Sequence, residues 1–428
     1  MREMKDSGVE WIGEIPADWS ITRIKYIGQY INGYAFKPDD WSSQGKPIIR
    51  IQDLTGSNSL PNFCDEILPD KYLIKNGDIL VSWAATLDVF MWKREEGWLN
   101  QHIFKAIPNC DIIVKNFFFW LIKVAMENMN HDNKHGIVMQ HVTLNVFNNF
   151  SIPIPLKEVQ RNIGNYLDDK CSRIDTIIDK QRELIAKLKV YKQSIITETV
   201  TKGLKHDVEL KGSGIEFIGE IPSAWKVCRL RNIGVPQNGI SKGGEFFGHG
   251  YPFVSYGDVY RNYTLPIHVD GLIDTTDNER KDYSVEKGDI FFTRTSETIE
   301  EVGFSCVCEE TIPNATFAGF VIRVRPFDDT LYTGYSKYYF RSSHHRAYLV
   351  KEMNLVTRAS LGQDLLKSMP VLIPPMEEQR KIAEFLDEKC SAIDDTIKSK
   401  QKIIDKITAY KKSLIYEAVT GKKEELLQ

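Results

Sequence analysis

Apolar residues recur at three- and four-residue steps over two long stretches of this chain. In the first, Ile163, Leu167, Ile174, Ile177, Ile178, Leu184, Ile185, Leu188, Tyr191 and Ile195 trace one stripe. Only a helix gathers positions so spaced onto one face. In the second, Ile382, Leu386, Ile393, Ile397, Ile403, Ile404, Ile407, Tyr410 and Leu414 do the same. The run Ile152-Pro-Ile-Pro155 gives the first stretch a clean start, and no Pro or Gly interrupts it after Gly164. The pattern predicts a helix from Glu158 to roughly Lys202 and another from Glu377 to Gly421. Each is about 60 Å long at about 1.5 Å per residue. The stripes are close to heptads: Leu167, Ile174, Gln181, Leu188 and Ile195 match Leu386, Ile393, Lys400, Ile407 and Leu414. Gln181 and Lys400 break the two stripes at the same place. Either they fix the register of a helix pair, or they lie at the edge of the stripe.

Outside these stretches the pattern is mixed. Lys46-Pro-Ile-Ile-Arg-Ile-Gln52 and Tyr251-Pro-Phe-Val-Ser-Tyr256 read as strands. Gly77-Asp-Ile-Leu-Val-Ser82 and Gly288-Asp-Ile-Phe-Phe-Thr293 read as turns feeding buried strands. Phe117 to Met129 and Tyr335 to Met353 read as helices.

The two halves share a frame. Lys5-Asp-Ser-Gly-Val-Glu-Trp-Ile-Gly-Glu-Ile-Pro16 returns as Lys211-Gly-Ser-Gly-Ile-Glu-Phe-Ile-Gly-Glu-Ile-Pro222, an offset of 206 residues. Trp19, Arg23 and Gly28 match Trp225, Arg229 and Gly234 at that offset. Pro155 to Thr201 returns as Pro374 to Thr420, an offset of 219 residues. Between the repeated blocks the halves diverge almost completely. One frame kept twice around different contents suits a reader of two targets better than a single-site enzyme.

Composition adds boundaries. A chain of 428 residues can hold two to four domains. No apolar run is long enough to span a membrane, and the charged N-terminus carries no secretory pattern. Seven cysteines without a CxxC pair fit reduced thiols in a cytoplasm. Cys171 and Cys390, at matching repeat positions, are expected as small core residues. A net charge of -3 gives no support to nucleic-acid binding from composition alone, so any basic surface must be local.

Several motifs, in order and duplicated, resemble the specificity subunit of type I restriction-modification systems. They are the opening Gly8-Val-Glu-Trp-Ile-Gly-Glu-Ile-Pro-Ala-Asp-Trp19 and the Gly-Asp-Ile strand in each variable region, followed in the first copy by Asn100-Gln101. A third is Ile373-Pro-Pro-Met-Glu-Glu-Gln379 leading into a long helix, with Ile154-Pro-Leu-Lys-Glu-Val-Gln160 as its looser twin. The resemblance covers essentially the whole chain. It implies an α/β (α+β) architecture of two globular mixed α/β target recognition domains. Two long helices forming an antiparallel coiled coil separate them, with a pseudo-twofold internal repeat. The expected partition is a first recognition domain at 1–150, a first spacer helix at 151–203, a second recognition domain at 204–370 and a second spacer helix at 371–428. The expected partners are double-stranded DNA, two methyltransferase subunits, and restriction subunits joined through the complex. No cofactor and no catalytic residue are expected, and the expected location is the cytoplasm.

The residues agree with an absence of chemistry. There is no Asn/Asp-Pro-Pro-Tyr/Phe tetrapeptide, no GxGxxG opening a helix and no Walker loop. Glu209-Leu-Lys211 is an ExK tripeptide in the hinge between the halves. His344-His345 reads as solvated histidines rather than a metal pair, because neighbours on a helix point apart. Gly243-Gly244 is a turn with no GK[ST] after it. The alternatives are a protein-binding tandem adaptor and a nuclease or methyltransferase with an unrecognised site.

A reader of base edges needs donors and acceptors on loops, with cations nearby for phosphates. The segment after each Gly-Asp strand supplies Trp83 and Thr86 in one half, Arg294 and Ser296 in the other. Arg294 could pair with a guanine and Trp83 could pack on sugar or a thymine methyl; alternatively Trp83 is core and Arg294 a surface ion-pair residue. The early loops add Tyr34, Lys37 and Lys242, and the late loops add Lys134, His135 and Arg358. Ile196 and Ile415, on the outer sides of the helices, are candidate partner-docking positions; alternatively they pack on the recognition domains.

Overall fold

The computed structural model describes residues 2–56, 60–132, 142–205, 207–296, 302–352 and 359–426. The chain divides into two compact units, one of Met1–Gln181 with Lys402–Gln428, the other of Arg182–Gln401. The first long helix is Lys157–Lys202 and the second Met376–Val419. Both match the apolar stripes closely. The first stops before Gly203 and the second before Gly421, each with positive φ (75° and 74°), where a side chain would be strained. Among the described residues, no helix is long and apolar enough to cross a membrane.

Within the first unit, the start of the first long helix runs antiparallel to the end of the second. Lys423 lies over the Tyr166 ring, and further along Lys411 Nζ binds Asp175 Oδ1 at 2.6 Å. Within the second unit the opposite helix ends run antiparallel too, with Lys192 Nζ on Asp394 Oδ2 at 2.6 Å. The sequence repeat maps Asp175 onto Asp394 and Lys192 onto Lys411. Each repeat therefore lends its lysine to the other's aspartate.

The first unit contains a four-stranded antiparallel sheet ordered Gly28–Asn32, Ile103–Pro108, Ile79–Ser82, Asp88–Met91. Beside it lies a sheet ordered Phe63–Cys64, Lys46–Ile49, Gly97–Leu99, Leu73–Ile74. Frame strands Ser20–Arg23 and Ser151–Ile154 pair antiparallel and hand the chain to the long helix. The helix Lys115–Asp132 covers the expected stretch.

The second unit has the same plan. Its four-stranded sheet is ordered Gly234–Asn238, Val321–Pro326, Ile290–Thr293, Ser305–Val307. A three-stranded sheet is ordered Leu272–Ile273, Phe247–Val254, Thr316–Phe317. Lys226–Arg229 pairs with Pro370–Ile373 as its frame strands. The single helix expected over Tyr335 to Met353 is instead two, Thr333–Tyr339 and Ser343–Glu352. Arg341, at the break, spends its guanidinium on the carbonyls of Ser305, Val259, Tyr260 and Asn262. These four bonds anchor the break between the two helices to the sheet and to the segment 259–262.

The repeated frame buries two glutamines as clamps. Gln160 accepts from the Val114 amide at 2.7 Å and donates to the carbonyls of Ile112 and Pro155. Gln379 does the same with the Tyr332 amide and the carbonyls of Thr330 and Pro374. Cys171 and Cys390 are buried core residues, and burial pushes both thiols up to about 11.

His345 is a correction to the solvated pair expected from sequence. It is buried at 4% exposure, packed edge-on against the Tyr339 and Phe340 rings, with Nδ1 2.9 Å from Ser342 Oγ. Burial, and next the neighbouring His344, push its pKa down to about 3. The folded protein holds it neutral while the unfolded chain protonates near pH 6.5, so stability falls as pH drops below that value. Of the stability lost between pH 7.5 and 5.5 in urea unfolding, the His345 share should be about 1.4 kcal/mol, and His345→Leu should remove it. An identical pH dependence in the variant would show that His345 is not the group responsible.

Candidate nucleic-acid interface

The two variable regions share little sequence, yet one junction is built alike in both. In the first unit, the strand Gly28–Asn32 ends at Gly33, whose amide donates to Ile103 at 3.1 Å. A Cβ on Gly33 would lie 1.9 Å from the Asn100 carbonyl oxygen. In the second, Gly239 donates to Val321 at 3.1 Å, and its Cβ would lie 2.2 Å from the Ala318 carbonyl oxygen. Only glycine lets the chain pass so close to another backbone. Residues 100–103 and 318–321 are tight turns, closed by Ile103 donating to Asn100 and Val321 donating to Ala318. Each turn crosses the end of the central strand. The Trp83 amide donates to the His102 carbonyl, and the Arg294 amide donates to the Phe320 carbonyl at 2.9 Å. The chain returning to the long helix covers the other side: Val142 donates to Trp83 and Leu361 donates to Arg294.

Trp83 and Arg294 thus occupy equivalent places with different chemistry. Trp83 is half-buried, stacked on Phe104 at 5.8 Å and edge-on to His102 at 5.4 Å. Its indole N–H is buried without an acceptor among the described residues. Arg294 is half-buried, with Nη1 3.3 Å from the Gly319 carbonyl. Thr86 is exposed one turn beyond Trp83, after Ala85, which adopts a positive φ of 58°. Ser296 lies in the short strand Thr295–Ser296, which pairs with Ala359–Ser360 beside Arg294. Trp83 and Arg294 thus stand at the same edge of the central sheet in the two units.

The other candidates do not all join them. Tyr34 is half-buried against Phe36 and Tyr72, in a small apolar cluster with Trp98. Lys37 is exposed and caps the turn Pro38–Asp40. Lys242 is committed to Glu279 at 2.7 Å and to the Asp274 carbonyl at 2.9 Å. That ion pair, followed by the Thr276 backbone, holds the Glu279 carboxyl below its usual range. Lys134, His135 and Arg358 lie outside the described residues. Ile196 and Ile415 require correction, since both are buried at 0% and 5% exposure. Ile196 belongs to the core of the second unit, and Ile415 lies with Leu87, Val124 and Glu127 in the first. A partner cannot reach them. Sequence reasoning also passed over the turn residues His102 and Phe320, both exposed; no periodic signal marks a two-residue turn between divergent strands.

A family profile described as the type I restriction modification DNA specificity domain matches residues 16–187 and 222–409. The chain is 22% identical to the Escherichia coli type I restriction enzyme EcoBI specificity subunit, over 98% of this chain and 89% of that one. It is 24% identical to the MjaVIII specificity subunit of Methanocaldococcus jannaschii, over 95% of this chain and 93% of that one. A chain solved in work on complex assembly and conformational transition of the type I R-M system superposes with a TM-score of 0.69. That match has 16% identity and covers 95% of this chain and 98% of the other.

The shared junction makes a stability prediction. Gly33→Ala and Gly239→Ala should each cost about 1–3 kcal/mol, because the added methyl meets backbone that cannot yield. Gly212→Ala, where a Cβ meets nothing within 4 Å, should change little. Thermal unfolding of the three variants decides this, and equal shifts would contradict the close approach.

Proposed function

Because this chain belongs to the type I restriction modification DNA specificity family, we propose that it is the sequence-reading subunit of a type I restriction-modification complex. It reads a bipartite DNA target, one half-site per variable region, and does no chemistry itself. The observation that carries this is the pair of equivalent junctions. A similar backbone platform presents Trp83 and His102 in one unit, Arg294 and Phe320 in the other. A constant platform with varied tips is what two different half-sites require. We divide the chain accordingly into recognition domains at 1–150 and 204–370 and spacer helices at 151–203 and 371–428.

Two copies of a methyltransferase subunit dock on the repeated frame, since repeated surfaces fit repeated partners. Tyr191 and Tyr410 replace the buried isoleucines as docking positions. They are repeat equivalents, and their exposures of 58% and 57% are nearly equal. Restriction subunits join through that complex. The chain works in the cytoplasm, which agrees with its seven free cysteines.

Modularity tests this function. Replacing residues 28–150 with another recognition region should change one methylated half-site and leave the other intact. Simultaneous change of both half-sites would mean that the regions are not independent readers.

The helices provide a second test. Four helix-forming residues inserted after both Gln181 and Gln401 would lengthen each helix by about 6 Å and rotate it about 40° past a full turn. B-DNA rises about 3.4 Å per base pair, so the spacer between half-sites should grow by one or two base pairs while the half-sites persist. Full activity on an unchanged spacer would show that the helices do not set the distance.

A further inference from the structure

We propose that Phe320 reads DNA directly, its ring packing on the 5-methyl group of a thymine beside the base pair that Arg294 reads. The inference rests on the sequence-reading function above. Phe320 is 63% exposed on the turn 318–321. Holding a large apolar ring mostly in water costs free energy that burial against a partner recovers. Its backbone is nevertheless pinned on three sides: Gly319 donates to Ile240 at 2.8 Å, Val321 donates to Ala318 at 2.9 Å, and Phe320 accepts from Arg294 at 2.9 Å. A Cβ on Gly319 would lie 2.2 Å from Ser241 Oγ, so the turn sits close against its neighbour and has little room to tilt. A ring presented on so rigid a base loses little freedom on binding.

The neighbour selects the occupant. Arg294 Nη1 lies 3.3 Å from the Gly319 carbonyl, which places a guanidinium against the turn that carries Phe320. A cation with planar donors next to an apolar surface matches the major-groove edge of DNA. There guanine offers two acceptors and thymine offers a methyl group. The same position in the first unit is His102, exposed, with Nε2 3.3 Å from Gln101 Nε2. Polar chemistry there and apolar chemistry at Phe320 fit two unlike half-sites.

The test uses the full chain in complex with its methyltransferase subunit, and duplexes carrying the mapped target. Each thymine of the second half-site is replaced in turn by uracil, which lacks only the methyl. One replacement should weaken binding about fourfold, the effect of exposing one buried methyl. It should sit next to the pair at which Arg294→Ala relaxes selectivity. Phe320→Ala should weaken binding to the thymine duplex about tenfold, with no further loss on that uracil duplex. It should leave the first half-site and the thermal midpoint unchanged, and Phe320→Tyr should restore most of the affinity. A uracil effect that persists in Phe320→Ala, or no uracil effect anywhere, overturns the inference while leaving the sequence-reading function intact. Dissociation of the Phe320→Ala chain from the methyltransferase on gel filtration would make the ring a protein contact and also overturn it. Absence of any sequence-specific binding by the unmodified complex would overturn both.

Discussion

Each globular core is closed by a helix end that the other repeat supplies. Ile196 and Val200, near the end of the first long helix, belong to the core that also holds Trp225, Tyr335 and Leu372. In the first unit Leu414, Ile415, Ala418 and Val419 of the second helix are buried. The Tyr416 hydroxyl donates to the Trp11 carbonyl there. The frame tryptophans stand at these helix ends: Trp225 Nε1 donates to Glu378 at 3.0 Å beside Gly203, and Trp19 lies against Gly421. A fully buried Leu or Ile contributes about 1.5–3 kcal/mol, so a few such residues hold a helix end in place. The variable region adds to this hold, since the Tyr335 hydroxyl donates to the Val200 carbonyl.

The polar groups of the frame follow the same division. Gln160 and Gln379 each satisfy one amide and two carbonyls where the variable region meets the long helix. Asp168 accepts from Trp120 Nε1 at 2.8 Å, and its repeat equivalent Asp387 accepts from the Tyr338 hydroxyl at 2.7 Å. The partner residue differs while the acceptor and its role persist. Leaving a buried donor without an acceptor costs about 1–3 kcal/mol, which holds these aspartates and glutamines in place as the inserts change. The edge where Trp83 and Arg294 end their strands differs in chemistry between the halves.

The frame was legible in the sequence because helix periodicity and near-repetition can both be read without knowing the fold. Both helices, the frame strands and the burial of Cys171 and Cys390 could be read that way. The common plan of the variable regions could not, because it is stored in backbone geometry. Gly33 and Gly239 look like ordinary loop glycines until the carbonyls of Asn100 and Ala318 are seen against them. Facing was a second blind spot. A stripe shows which positions are apolar, and only packing shows that Ile196 and Ile415 turn inward while Tyr191 and Tyr410 turn outward. His345 was misread for a similar reason, since adjacent helical positions point apart and one of them found the interior. Of the candidate interface, Trp83, Thr86, Arg294 and Ser296 were foreseeable as residues that follow a strand. His102 and Phe320 reach the same edge through a turn that pairing alone defines.

A frame that holds two independent readers should act on two-part targets. The most direct measurement is a map of methylated bases in a genome that carries this chain, unaltered, with its methyltransferase subunit. The account predicts one motif made of two dissimilar half-sites at a fixed separation, methylated only when both subunits are present. A palindromic or continuous motif, or methylation that persists without this chain, would contradict it.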